Sequence, residues 1–561
     1  MTLFPPPFNP EQLIRDRFEK AGVVLDSLER RDFPEETIFI ARVPQADLEQ
    51  ATELGNRLDQ ALQQHGFDGF VTVRQASGQP SHATIEKEVT VTDKRATELV
   101  NLLTARSRTS QVQPSLSYIP DTAQNISTVT TSRHHLIFGR RGAGKTALMV
   151  EAKKMIENEG GISTWTNIQT LRHETAGRAF MYLCKQLCET MQIRYRTQDR
   201  TPAIVPQVTA LADDLDRLLV SATTPDTEVL RVVPRAQAIL RRFLLSNALR
   251  LFIFIDDLHY LPVREQPKFL DLVHGMVRDC DAWLKVAAIK HLARWFQASP
   301  PLGLQTGHHA NHIELDLTLQ KPSQAKEFLE TMLRSYAKHV GIRSIHRILS
   351  PSALDRLVLA SGAVPRDYLV LSASTIRQAQ LREKSRVAGV QDVNKASGDA
   401  AKVKIAELED DAASLEGNTR PIARTLQILR EFCIDASKCS YFRVDFRDKE
   451  THTEEYAMMQ SLMDLRLLHL INGSLSDERE AGRRSEVFML DLSQYSGQRL
   501  KKKLNVLDFE AGYIVLKQTG TSAPRKVGDT PSRLVQLLRR GPLFRLDQLK
   551  NKAILRDKDG E

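Results

Sequence analysis

Apolar positions recur along this chain in two rhythms, and the switches between them outline its elements. Over residues 46–65, Leu48, Ala51, Leu54, Leu58, Ala61 and Leu62 fall on one face at helical spacing. The β-branched run Thr37–Val43 and the run 69–74 after Gly66 predict strands. With a proline-rich start and a helical stretch over 10–30, they predict a small N-terminal α/β domain over residues 1–95.

Residues 104–131 turn to Ser, Thr, Gln and Pro and predict a connector. Beyond it, strand-like runs at 136–138, 161–166, 251–255, 284–289 and 312–317 alternate with helical patterns. Such alternation predicts an α/β fold with a parallel sheet sandwiched by helices, here over 96–318. Helical periodicity dominates 319–415, as in a helical lid, and runs into a linker at 416–419.

Helices at 421–434 and 454–464, a strand at 468–471, a charged loop at 474–484 and a strand at 485–492 follow. Their order resembles a winged helix over 420–500, with the charged loop as its wing. On its second helix Tyr456, Met459, Met463 and Leu467 form a packing stripe, which leaves Asp464 and Arg466 expected at the surface. Residues 501–561 form a basic extension with Lys501, Lys502, Lys503, Arg539 and Arg540.

Chemistry concentrates where the first core strand ends. Leu136-Ile-Phe138 opens Gly139-Arg140-Arg141-Gly142-Ala143-Gly144-Lys145-Thr146-Ala147, a phosphate loop in its strand-to-helix context. Glycines let backbone amides and the following helix N-terminus approach phosphate oxygens closely, so this stretch is expected to bind ATP. Lys145 would reach the β and γ phosphates, and Thr146 would ligate magnesium. About a hundred residues on, the apolar strand Leu251-Phe-Ile-Phe-Ile255 delivers Asp256 and Asp257 at its C-terminal end, where open α/β sheets bind ligands. Asp256 would hold the magnesium, and Asp257 would orient or deprotonate the attacking water.

Phosphate loop, paired aspartates, the strand Val286-Ala-Ala-Ile289 ending at Lys290, and Ser361-Gly-Ala-Val-Pro365-Arg366 in the lid together resemble the AAA+ ATPases. Within them the chain looks most like the origin-recognition initiator branch and the related STAND switch ATPases. The resemblance implies a sensor 1 role for Lys290 and a sensor 2 contact of Arg366 with the γ-phosphate. Three features depart from it: Ala-Val precedes the lid proline, Lys290 replaces the usual Asn, Thr or Ser, and Asp257 stands where many members carry Glu. Slow or partner-stimulated turnover is the expectation. A neighbouring subunit would supply an arginine, with Arg278 and Arg294 as candidates, so a homo-oligomer is expected with ATP bound.

Composition narrows the setting. Over 561 residues, 41% apolar and 26% charged content suits several globular cores. No run of about 18 apolar residues and no signal-peptide pattern occurs, so a cytoplasmic chain without a membrane partner is expected. Five scattered cysteines without Cys-x-x-Cys spacing predict reduced thiols rather than a zinc site. The net charge of +9 permits a DNA partner through the C-terminal region. Two functions stay open: a DNA-acting AAA+ switch, or a regulatory ATPase that binds protein partners. The second would work with a separate effector, as in anti-phage defence, because no nuclease, protease or deaminase signature is present.

Overall fold

The structure, a computed structural model, describes residues 9–32, 37–44, 47–75, 89–107, 110, 116, 118–120, 124–196, 204–221, 223–382, 386–414, 420–478, 480, 482–496, 503–510, 513–518 and 531–554. The linker expected at 416–419, together with Lys501 and Lys502, lies outside them. Residues 1–87 and 88–561 form two compact units.

In the first unit, Ile14 and Phe18 of the helix Pro10–Lys20 bury against Phe39, Ala41, Leu58 and Leu62. Helix to residue 30 was the expectation, but Gly22, at φ +68°, follows the helix end and the chain turns back. Residues 27–32 then find backbone partners on a free strand edge. They form β1 (Ser27–Asp32), antiparallel to β2 (Thr37–Val43), and β2 pairs in parallel with β3 (Gly69–Gln75) across the helix Leu48–Gln64.

The second unit is built on a sheet of β4 (His134–Phe138), β5 (Ile162–Asn167), β6 (Leu251–Asp256) and β7 (Ala282–Ala288). A hairpin that carried no clear sequence signal, β8 (Phe296–Ala298) with β9 (Pro301–Gly303), precedes its fifth strand, β10 (Ala310–Glu314). The order is β10-β4-β7-β6-β5, and every pairing is parallel. Strands covered on both faces must be apolar throughout, and β6 is buried at every position. Ile137, Phe252 and Phe254 meet Leu148, Met149 and Ile156 of the helix Lys145–Asn158 on one face. Leu136, Phe138, Ile253 and Ile255 meet the helices Ala176–Arg196, Asp226–Asn247 and Gln266–Val277 on the other. One consequence fixes the site: the C-terminal ends of β4, β7 and β6 lie side by side.

The lid helices Pro322–His339, Pro351–Ala360, Pro365–Gln380 and Val390–Ser414 follow. The helix Lys94–Ala105, expected at the edge of the ATPase core, instead packs with them, because Leu99 and Leu103 bury in the lid's core and Val91 bonds the lid backbone at Arg386. That core continues without a break into the C-terminal elements. These run through the helix Arg420–Arg430, β11 (Tyr441–Asp445), the helices Phe446–Thr451 and Thr453–Asp464, β12 (Leu468–Ser476) and β13 (Arg484–Leu490). The sheet order β11-β13-β12, with the charged loop between its last two strands in sequence, is a winged-helix arrangement. β14 (Asn505–Glu510) and β15 (Tyr513–Gln518) form a hairpin whose Leu507 and Phe509 join the same core. Of the region expected as a basic extension, residues 505–510 and 513–518 are therefore packed elements.

Buried charges lock lid to winged helix. Asp491 accepts from Lys404 Nζ at 3.1 Å and contacts His469 Nε2 at 2.7 Å; Arg466, expected at the surface, is buried on Asp367 at 3.2 Å. Burial acts to raise the Asp491 pKa, but the Lys404 ammonium, His469 and Ser493 overcome it and hold the carboxyl below its usual range. A carboxyl depressed in the folded state stabilises above the unfolded carboxylate range and loses that contribution as pH falls through its folded value. Asp491→Asn is expected to cost about 3 kcal/mol at neutral pH, since it leaves Lys404 buried without its counter-charge. Urea midpoints measured at pH 7 and in acid would show the difference from wild type shrinking at low pH.

Candidate nucleotide-binding site

Gly142 and Gly144, at φ +81° and +100°, adopt backbone that side-chain-bearing residues avoid. The loop after β4 therefore curls back, Ala143 N–H closes on Arg140 O at 3.1 Å, and the helix Lys145–Asn158 begins at Gly144 with no side chain capping its first amides. Ala147 lies in that helix's first turn. Lys145 Nζ donates to the carbonyls of Gly139 and Arg140 at 2.7 and 3.2 Å. Burial pushes its pKa down, opposed by the charges of Asp257, Asp316, Asp256 and Asp464.

Thr146 Oγ1 donates to Asp256 Oδ2 at 2.9 Å. The other oxygen, Asp256 Oδ1, is buried without a hydrogen-bond partner, and burial together with the Asp257 charge pushes this carboxyl up to about 7. An orphaned carboxylate oxygen beside a threonine hydroxyl fits magnesium, which takes hard oxygen ligands, few of them from protein. Asp257, at φ +59°, turns the chain out of β6; burial raises its pKa while Lys145, Arg141 and Arg366 pull it back. His259 Nδ1, buried and without a hydrogen-bond partner, lies 4.0 Å from Asp257 Oδ1.

The lid reaches the loop directly. Arg366 N–H donates to Gly142 O at 3.3 Å, and a Cβ at position 142 would stand 2.7 Å from the Arg366 Cβ, so only glycine fits beneath the lid. Arg140 is buried and turned away from the enclosure. Its guanidinium bonds Asp316 Oδ1 at 3.3 Å, Leu317 O at 2.6 Å and Gly362 O at 3.2 Å, tying the loop to the sheet edge and the lid.

Lys290 does not face the enclosure. Its ammonium pairs with Glu314 at the end of β10, with the side chain 53% exposed. The next residue, His291, turns inward instead and pairs with Asp464 of the winged helix. Asp464, expected at the surface, is half-buried there; lost hydration, with the Asp316 charge adding to it, pushes its carboxyl up to about 8, and lost hydration, with Arg141 adding to it, lowers His291 to about 4. Sequence offered no local signal for Asp316, His291 or Asp464, because each acquires its partner from a distant segment. Arg278 and Arg294 are both exposed. All five cysteines are free thiols, and among the described residues no three His, Cys, Asp or Glu side chains converge as a metal site. No helix among the described residues is long and apolar enough to cross a membrane.

No protein-family model matches the sequence, and no curated protein matches it. Solved structures do. The Orc1 protein of Aeropyrum pernix in complex with DNA is 15% identical, with 67% of this chain and 90% of that chain covered at a TM-score of 0.32. Cdc6p of Pyrobaculum aerophilum is 12% identical, covering 73% and 93% at 0.29. AMPPCP-bound DnaA of Aquifex aeolicus is 12% identical, covering 64% and 96% at 0.27. At such scores the fold rests on the chain's own geometry. With loop, paired aspartates and lid meeting at one end of a five-stranded parallel sheet, it is a P-loop fold with a helical lid, the architecture that the sequence's resemblance to the AAA+ ATPases implies.

Proposed function

We propose that the chain binds magnesium ATP at this site, hydrolyses it slowly, and uses the cycle as a conformational switch. The observation that carries this reading is that Lys145, Thr146, Asp256 and Arg366, from loop, strand and lid, meet around the phosphate loop. Lys145 and the helix amides would hold the phosphates. Thr146 and Asp256 would hold magnesium, which when bound offsets phosphate charge. Asp257 would accept the water's proton, and its side chain, shorter than glutamate, suits slow turnover. Arg366 would meet the charge that develops on the γ-phosphate, and the exposed Arg278 or Arg294 of a neighbouring subunit could add to it.

For the target, the geometry favours a protein over DNA. The helix Thr453–Asp464, which would read a groove in a DNA-binding winged helix, carries Glu454, Glu455 and Asp464 and no Lys, Arg or His. It also packs on the turn Lys290–Leu292 of the ATPase core. In the wing, Arg483 pairs with Asp445 and Glu480, and Arg539 pairs with Glu478. A regulatory ATPase with a protein trigger and a separate effector fits these features.

Asp257→Asn is expected to lower kcat about a hundredfold with ATP binding kept, measured by phosphate release and nucleotide titration. An unchanged kcat would remove Asp257 from the base role. Short double-stranded DNA is expected to bind the full chain no tighter than about 1 μM near physiological salt, the range of sequence-independent attraction. Tight, steeply salt-dependent binding would restore the DNA reading.

A further inference from the structure

His259 is a buried imidazole without a role in the proposed cycle. Asp257, at φ +59°, turns the chain out of β6 into the single turn Leu258–Tyr260. That turn packs on β7 and on the turn Ile168–Leu171 after β5, and Leu258 and Leu261 anchor it in the core. The His259 ring is held beside Tyr260, tilted on it at a centroid distance of 4.7 Å, with its side chain 4% exposed.

Packing alone does not call for an imidazole here. Its Nδ1 is buried without a hydrogen-bond partner, a solvation cost that a hydrocarbon side chain would not carry. What Nδ1 faces is Asp257 Oδ1, 4.0 Å away. A nitrogen lone pair turned on a carboxylate oxygen would be repelled, so the tautomer that fits carries its proton on Nδ1 and faces Asp257 as a donor. Burial, with Lys145 and Arg141 adding to it, holds the ring well below its usual range and keeps it neutral at pH 7. Asp257 has the complementary need. Among the described residues no N–H donates to its carboxylate, and a carboxylate that rotates unrestrained is a poorly aimed base.

We propose that His259 is the positioning residue for Asp257: its Nδ1–H holds Oδ1 when the site closes on ATP, which leaves Oδ2 for the attacking water. The assignment rests on the reading of this site as an ATPase with Asp257 as its base. Closing from 4.0 Å to a hydrogen bond takes about 1 Å, within reach of rotation about the Asp257 side-chain bonds. Catalytic hydrogen bonds are commonly long before substrate binds and tighten in the complex. A neutral donor suits the task, because it orients the carboxylate with less loss of basicity than a cation in its place would cause.

The test compares His259→Asn with His259→Gln in the full chain with magnesium ATP. The asparagine amide nitrogen reaches the place of Nδ1, whereas the glutamine amide reaches that of Nε2, so the pair separates donation to Asp257 from filling of the space. His259→Asn is expected to keep kcat within about threefold of wild type and His259→Gln to lower it about thirtyfold, both with ATP affinity within about twofold. Added to Asp257→Asn, His259→Gln should change kcat by less than about twofold, because it acts only through that carboxylate. A kcat in His259→Asn at or below that of His259→Gln, loss of ATP binding by either variant, or a full further fall in the Asp257→Asn background overturns the assignment. Failure of wild type to bind and turn over ATP, retention of binding by Lys145→Ala, or an unchanged kcat in Asp257→Asn alone overturns the ATPase reading beneath it.

Discussion

Lys145 holds an ammonium almost wholly out of water, and the structure around it supplies what that charge requires. Asp256 and Asp257 come from the end of β6, Asp316 from beyond β10, and Asp464 from the winged helix, all acting on Lys145. Arg140, Arg141 and Arg366 balance this negative charge in turn. Four carboxyl groups gathered around one desolvated lysine do not all stay ionised: burial pushes Asp256 up to about 7 and Asp464 up to about 8, so protons share the work of the cations. The parallel sheet makes the gathering possible, because it brings the ends of non-consecutive strands to one edge. Any anion that enters must reapportion the partners, which is the physical basis for reading the site as a switch.

The reapportioning has a path outward. Arg140 donates to Gly362 O, and the His469 ring lies so close to Gly362 that a Cβ there would stand 2.1 Å from it. His469 meets Asp491, Asp491 meets Lys404, and Lys404 lies 3.5 Å from Asp367, the neighbour of Arg366. Lid and winged helix also share one apolar core. A shift at the phosphate loop is therefore felt by a body larger than the lid.

The loop and the core strands were legible in sequence because their causes are local. Glycines at 142 and 144 permit the turn, and Leu251 to Ile255 are apolar because both faces of β6 are covered. The winged helix was legible in outline, but β11 was not: its five residues, Tyr441 to Asp445, include two charged side chains and no clean alternation. The inward residues at the site failed for another reason. Asp464 and Arg466 read as surface because helical periodicity cannot see partners such as His291 and Asp367, each about a hundred residues away or more. Lys290 looked suited to the enclosure by its place after β7, yet Glu314 offers its ammonium a counter-charge in water, which spares the cost of burial. The basic net charge suggested DNA, but it does not fall on Thr453–Asp464, where a winged helix would use it.

The most direct measurement is an experimental structure of the full chain with magnesium and a non-hydrolysable ATP analogue. The account predicts phosphates on Lys145 and the loop amides, the metal on Thr146 and Asp256, and Arg366 on the γ-phosphate. A nucleotide bound elsewhere, or a γ-phosphate seated away from Lys145 and Arg366, would contradict it.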